Sequence, residues 1–337
     1  MAEQTQAAVL EAPRRFRIVE RARPSPGPGE VVVRIAATAV CHTDLSIYTG
    51  DHPGVRYPVV LGHESTGTVA AVGEGVPGLA SGQGAIINPI IACGRCDMCA
   101  RVMGREVEGS LNQYLRIPSR YVHALPGHLP LAQATLIETL ATVRHAQQRL
   151  GLKANESVVV LGQGTSGLLH ARLAVLSGAN PVIAISRSRW KLDRAIAMGA
   201  HHALDTGAEH AVDEVLRLTG GAGADAVIDT AGGAAALRAG VEMLRPGGRF
   251  SAFSISHESA ADLNLFPFYY KEISVIGSRA LLAEDMGASI ELVASGAIDV
   301  KGFITATYPL TRAAAAFEEY ERNPSRILRI VIDSSST

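Results

Sequence analysis

The chain has 337 residues, 47% hydrophobic and 19% charged. That is enough apolar sequence for about two cores of ~150 residues each, and it excludes a disordered chain. Its 31 basic and 32 acidic residues leave a formal net charge of -1, so no long-range field draws it to nucleic acid or an anionic membrane.

Taken in chain order, the N-terminus shows no basic stretch followed by a long apolar run, so a secretory signal is not expected. The first ~130 residues read as β-rich, from branched runs broken by Gly and Pro: residues 30–40, 65–73 and 84–91. Residues 24–30, PSPGPGE, form a loop whose prolines forbid regular pairing. Leu131 to Leu150 has helical spacing and stops before Gly151. From Glu156 strand and helix patterns alternate, which predicts an α/β unit with a doubly wound parallel sheet. The most apolar runs there, Val158 to Leu161 and Val182 to Ile185, are strand-length, so no membrane span and a cytoplasmic location are expected. Residues 281–337 hold two helical patterns and a last strand, and are expected to return to the first domain.

Gly162-Gln163-Gly164-Thr165-Ser166-Gly167 is a GxGxxG loop that follows a strand and opens a helix. In that context it reads as a phosphate loop. Gly162 permits the turn, Gly164 lets backbone approach a pyrophosphate, and Gly167 lets helix pack on strand. The helix start, Thr165 and Ser166, offers N–H donors and a positive dipole end. The bland alternative is a structural turn. About 20 residues on, an NAD site wants Asp or Glu, but Ser186 stands there, followed by Arg187, Ser188, Arg189, Trp190 and Lys191. A hydroxyl followed by cations suits a 2′-phosphate, so NADP(H) is expected ahead of NAD(H). Ser186 and Arg187 carry that expectation. Arg189 and Lys191 read equally well as a solvated first turn.

Of four cysteines, Cys41, Cys93, Cys96 and Cys99, the last three lie within seven residues, too close for a disulfide framework, and the clustering points to metal or redox chemistry. Thiolate, imidazole and carboxylate are all zinc ligands. Candidates are Cys41, in Cys41-His42-Thr43-Asp44; His63 and Glu64; and Glu138, in Leu136-Ile137-Glu138-Thr139-Leu140. They lie far apart in sequence, and a lone histidine at a strand end or an isolated cysteine is more often core packing than a ligand.

Together, CHTDL (41–45), PVVLGHESTGTVAAVGEGV (58–76), CGRCDMC (93–99), VVVLGQGTSG (158–167) and LRPGGR (244–249) resemble the zinc-dependent medium-chain alcohol dehydrogenases over nearly the whole chain. The resemblance implies a β-rich GroES-like catalytic domain, 1–143 and 281–337, interrupted by a Rossmann dinucleotide-binding domain, 144–280. It implies Cys41, His63 and Glu138 as catalytic zinc ligands, with Glu64 as an exchangeable one. Glu138 matches the polyol and threonine branches, although Glu-Thr-Leu stands where Glu-Pro-Leu is usual. Thr43 is implied as the acceptor of the alcohol proton. Where many members carry the next relay histidine this chain has Ser46, with His52 as a substitute. Ser46, Tyr48, segment 266–282 and the region of the cysteine lobe are expected to supply the substrate pocket. The run ISRSRWK (185–191) is similar to the NADP(H)-dependent, cinnamyl-alcohol-like members.

By the same resemblance Cys93, Cys96 and Cys99 begin a structural zinc lobe whose fourth cysteine falls at Val107, so the site is one ligand short. Either the lobe is trimmed, with zinc absent or completed by water or a carboxylate, or a loop carrying the fourth cysteine is missing from this sequence. Residues 102–118 read as the strand that follows the lobe. The implied function is hydride transfer between NADP(H) and a small-molecule alcohol, aldehyde or ketone, with a polyol among the options, by a homodimer or homotetramer joined through the dinucleotide domain's edge. The alternatives are a non-catalytic NADP(H)-binding redox sensor and a zinc-free quinone or enone reductase; the Cys41, His63 and Glu138 set argues against the latter.

Overall fold

A computed structural model describes residues 3–92 and 100–335, so Cys93, Cys96 and Cys99 lie outside the described residues. The chain divides into two compact units, Met1–Thr139 with Met286–Thr337, and Leu140–Asp285. The sequence reading sets the boundaries at 143/144 and 280/281. The units divide instead at 139/140 and 285/286, inside two continuous helices. No helix among the described residues is long and apolar enough to cross a membrane.

The first unit opens with β1 (Gln4–Ala12), β2 (Arg15–Ala22), β3 (Glu30–Val40), α1 (His42–Thr49), β4 (Val59–Val60) and β5 (Glu64–Val72). Next come β6 (Gly84–Ile87), β7 (Ile90–Ile91), β8 (Arg101–Val102), β9 (Tyr114–Pro118), β10 (Val122–Ala124) and α2 (Leu131–Ala134). Helix α3 (Leu136–Leu150) carries the chain into the second unit. That unit holds β11 (Val158–Leu161), α4 (Thr165–Leu176), β12 (Val182–Ser186), α5 (Arg189–Ala197), β13 (His202–Asp205), α6 (Ala208–Leu218) and β14 (Ala224–Asp229). It continues with α7 (Ala234–Met243), β15 (Leu244–Ala252), α8 (Phe266–Tyr270) and β16 (Ser274–Gly277). Helix α9 (Ala283–Ala294) leads back to β17 (Ile304–Pro309), α10 (Ala313–Arg322) and β18 (Arg329–Asp333).

In the first unit β3 is the central strand. It is nearly continuous in branched and small apolar residues, so it can be buried on both faces, and it pairs antiparallel with β5, β9 and β18. One core gathers Val31, Val33 and Ile35 with Val69, Ile87 and Leu115; another gathers Leu10, Ile47, Tyr48 and Leu61 with Phe317 and Ile330. Tyr48, expected at a pocket, is spent on packing: its ring lies 5.8 Å from that of Phe16 and 5.1 Å from that of Phe317.

The second unit is a six-stranded parallel sheet in the order β13-β12-β11-β14-β15-β16. Successive strands run outward one way from β11 and the other way from β14, which makes the carboxyl ends of these two strands the switch point where open α/β sheets bind ligands. Val159, Leu161, Ile183, Val227 and Phe250 form its core on one face.

Several elements differ from expectation for local reasons. Residues 102–118 are not one strand: a turn bridges Met103 to Val107, 111–113 bond the backbone of β1, and only β9 is regular. The run 84–91 is split around Pro89, which has no N–H to donate. The helical run from Leu131 breaks at Thr135, whose hydroxyl donates to Ala132 O. Strands β13 and β17 were not anticipated, because HALD is short without alternation and ITATYP has exposed threonines between residues that are only partly buried.

Candidate active site

The antiparallel sheet of the first unit explains why residues so distant in sequence meet. In its register Ala39 faces Glu64 and Val40 faces Ile330. The carboxyl end of β3 therefore lies beside the amino ends of β5 and β18. Cys41 follows β3 directly and occupies the N-cap of α1; His63 immediately precedes β5, which Glu64 opens; Arg329 opens β18. The ligand atoms of Cys41, His63 and Glu64 all lie within 4.8 Å of one another. His63 and Glu64 are buried and Cys41 partly so.

Asp44, in the first turn of α1, organises this cluster. Its Oδ2 accepts from the Cys41 N–H at 3.0 Å and its Oδ1 from the Gly62 N–H at 3.1 Å. The same Oδ1 lies 3.3 Å from His63 Nδ1. Gly62 has φ of 96°, and a Cβ there would come within 2.7 Å of Thr38, so only glycine lets the chain turn this close to the acid. Burial works to raise the Asp44 pKa, but the charge and hydrogen bond of His63 and the two backbone donors outweigh it and hold the carboxyl below its usual range. For His63, burial works against the imidazolium, yet Asp44's charge and hydrogen bond, with Cys41, raise its pKa well above the usual value. With Nδ1 on Asp44, Nε2 is the nitrogen left to bind a metal, the arrangement in which a carboxylate fixes the tautomer of a ligating histidine.

Glu138 sits in the first turn of α3 and is buried, but it falls outside the 4.8 Å group. Its carboxyl is pushed up to about 8, by burial first and then by the charge of Glu64. Glu64 has one oxygen, Oε1, 3.3 Å from Arg329 Nη2, while buried Oε2 has no hydrogen-bond partner. A thiol, an imidazole and an orphaned carboxylate oxygen converge here, with a second carboxyl held neutral by its surroundings. That donor set fits a divalent cation, and its S, N and O composition fits zinc.

In the second unit Gly162 and Gly164 lie between β11 and α4, and Thr165, Ser166 and Gly167 form the helix's first turn. A Cβ on Gly167 would stand 1.9 Å from Gly162 O, so the glycine permits the close approach of helix to loop. At Gly164 a Cβ would meet nothing within 4 Å, which leaves the backbone open to a ligand. Thr230, after β14, donates from Oγ1 to Leu161 O at 2.9 Å and to Gly162 O at 3.0 Å, fastening the loop to the switch point. Ser186 ends β12, and its Oγ accepts from the Ser188 N–H at 3.2 Å. Arg187 is exposed. Arg189 pairs with Asp193 four residues on, at an exposed surface. Lys191 is buried, its pKa lowered by desolvation.

Thr43 Oγ1 lies 3.9 Å from Cys41 Sγ, beside the cluster. The two other relay candidates have local partners instead. Ser46 donates to Thr43 O at 2.9 Å, and His52 Nδ1 lies 2.9 Å from Pro53 O. Sequence reasoning missed Asp44, Thr139 and Arg329 as site residues. Asp44 stands three residues after an N-cap, the acid position of a capping box, and that spacing was the available signal. For Arg329 the signal was a cation inside the apolar strand Ile327 to Ile332.

A GroES-like β unit that clusters Cys, His and Glu, joined to a Rossmann-type unit with a phosphate loop, defines a two-domain nucleotide-dependent dehydrogenase. Residues 27–127 match the alcohol dehydrogenase GroES-like domain and residues 167–295 the zinc-binding dehydrogenase domain. The chain is 32% identical to 2-dehydro-3-deoxy-L-galactonate 5-dehydrogenase of Pseudoalteromonas atlantica, covering 94% of this chain and 95% of that one. It is 29% identical to sorbitol dehydrogenase of Bacillus subtilis, covering 97% and 96%. Among solved structures, a zinc-binding dehydrogenase from Sinorhizobium meliloti bound to NADP superposes with a TM-score of 0.88 at 27% identity, covering 98% of this chain and 99% of that one. The chain belongs to the zinc-type medium-chain alcohol dehydrogenase family.

Proposed function

We propose that the protein is a zinc-dependent oxidoreductase that transfers a hydride between NADP(H) and an alcohol/carbonyl pair, with a polyhydroxylated secondary alcohol as the favoured substrate class. The observation that carries this reading is the convergence of Cys41, His63 and Glu64 within 4.8 Å. Cys41, His63 and Glu138 would hold the zinc, with Glu64 as the carboxylate that exchanges. When bound, zinc supplies a Lewis acid and the nicotinamide supplies or takes the hydride.

The chain's own residues do the rest. Asp44 engages His63 Nδ1 and leaves Nε2 as the nitrogen that would bind the zinc. Arg329 holds Glu64 by one oxygen and leaves the other available. Thr43 would take the proton from the substrate hydroxyl, a role supported by its Oγ1 lying 3.9 Å from Cys41 Sγ. The loop Gly162 to Gly167 and the start of α4 bind the pyrophosphate, while Ser186 and Arg187 take the 2′-phosphate; buried Lys191 serves the same pocket wall. The polyol reading draws on Glu138 and on the names of the two relatives above, and the NADP reading on the absence of an acid at Ser186. Leu265, Phe266, Tyr269 and Tyr270 are exposed next to the edge strand β16, which supports a homodimer or homotetramer built on that edge.

The test is turnover of a panel of aldehydes, ketones and sugar alcohols with both cofactors, beside metal analysis of the wild type and Cys41→Ser. NADP(H)-linked turnover with one cysteine-dependent zinc supports the proposal. Full turnover after loss of that zinc overturns it.

A further inference from the structure

We infer that Arg329 is a positioning residue that ties together the three segments carrying the proposed zinc ligands, an inference that rests on the zinc reading above. Arg329 is 3% exposed and opens β18. Its Nη1 donates to Val40 O at 3.1 Å, and its Nη2 donates to Thr139 Oγ1 at 2.9 Å and lies 3.3 Å from Glu64 Oε1. Val40 immediately precedes Cys41; Glu64 immediately follows His63; Thr139 immediately follows Glu138. One planar guanidinium thus reaches a sequence neighbour of each ligand.

This tie does something the sheet cannot. Register already fixes Glu64 against Ala39, so β3 and β5 need no further fastening. Helix α3 belongs to no ladder, and its Glu138 enters the site only as the helix is placed. The bond from Arg329 to Thr139 is a direct polar link between that helix and the strands bearing the other ligands. A fork with several fixed donors can hold three partners at once. A lysine ammonium would keep the charge beside Glu64 but lose that geometry.

The experiment compares wild type, Arg329→Lys, Thr139→Val and Cys41→Ser, each as the full chain. Metal release into a colorimetric chelator is followed for the zinc forms, and the visible absorption bands are recorded for the cobalt(II)-substituted forms. NADPH affinity is measured by fluorescence. Arg329→Lys is expected to release zinc about 10 to 100 times faster and to shift the cobalt bands. Thr139→Val should shift the same bands with a smaller rate change. NADPH affinity should stay within about twofold. Release rates within about twofold and unmoved cobalt bands in Arg329→Lys would reduce Arg329 to a charge partner for Glu64 and overturn the positioning role. Should Arg329→Lys fail to fold, Thr139→Val decides alone, since it changes one hydroxyl for a methyl: unmoved bands overturn the proposal. If the wild type binds no metal that Cys41→Ser loses, the zinc reading and this one fall together.

Discussion

Replacing Asp44 by Asn is the sharpest test of how the site is held. The carboxylate is 1% exposed and faces three nitrogens: Cys41 N at 3.0 Å, Gly62 N at 3.1 Å and His63 Nδ1 at 3.3 Å. An asparagine of the same shape offers one acceptor oxygen and turns an NH2 toward a remaining donor. At least one buried N–H is then orphaned, at about 1–3 kcal/mol, and the charge assistance to the others is lost. A total of about 2–4 kcal/mol is expected, a large share of the ~5–15 kcal/mol that stabilises a typical protein. Zinc affinity should also fall about 10- to 100-fold, because His63 loses the partner that orients it. Urea unfolding of the metal-free protein reads the first effect, and competition for zinc with a chelator of known affinity reads the second. Asp51→Asn, an exposed change just beyond the same helix, serves as control and should lie within about 0.5 kcal/mol of wild type. If Asp44→Asn also falls within that range and binds zinc within about twofold of wild type, Asp44 does not organise the cluster.

Gly167→Ala sets a Cβ 1.9 Å from Gly162 O, so the phosphate loop must shift away from the helix; dinucleotide binding by calorimetry should be lost, and retained affinity would refute the assignment of the loop. Arg187→Asp should raise the NADPH dissociation constant at least about 10-fold more than that of NADH, as expected when a charge-assisted bond is replaced by repulsion; equal changes would remove the 2′-phosphate role. The Glu138 carboxyl, raised from 4.5 to about 8 by burial and by Glu64, keeps a proton in the folded metal-free protein that the unfolded chain gives up. Stability of the metal-free protein from this group is complete below about pH 4.5 and is lost as pH rises toward about 8. The difference between wild type and Glu138→Gln in urea unfolding should therefore change across that window, and a pH-independent difference would refute it.

The fold was largely legible because its rules are local. A branched strand, a glycine turn and a helix start are consecutive in Val158 to Gly167, so the phosphate loop needed no tertiary information. Alternating strand and helix patterns likewise announce a parallel sheet. Strand β13 escaped because it is short, polar and only partly buried, and β17 because its outward residues break the apolar pattern. The ligand candidates were recognisable as residue types within motifs, but which of them meet depends on antiparallel register between β3, β5 and β18, and β18 lies nearly 300 residues from β3. No local pattern encodes that register, so Arg329 stayed hidden although it touches the neighbours of every proposed ligand.

Charge balance in the assembled site supplies what the motifs could not. Buried charges are kept only when paired. Asp44 is met by two backbone donors and His63, and Glu64 Oε1 by Arg329. Those partners leave the Cys41 thiol and the Glu64 Oε2 atom in one cluster, with the Glu138 carboxyl outside it but near enough to feel the charge of Glu64. Without a cation, Glu138 is driven to hold a proton. A divalent cation held by Cys41, His63 and Glu138, as proposed above, would displace that proton. Zinc binding by this chain should therefore be accompanied by proton release that is smaller in Glu138→Gln than in wild type, measured by titration in buffers of different ionisation enthalpy. Equal release in the two proteins would place Glu138 outside the metal site and leave Glu64 as its carboxylate ligand.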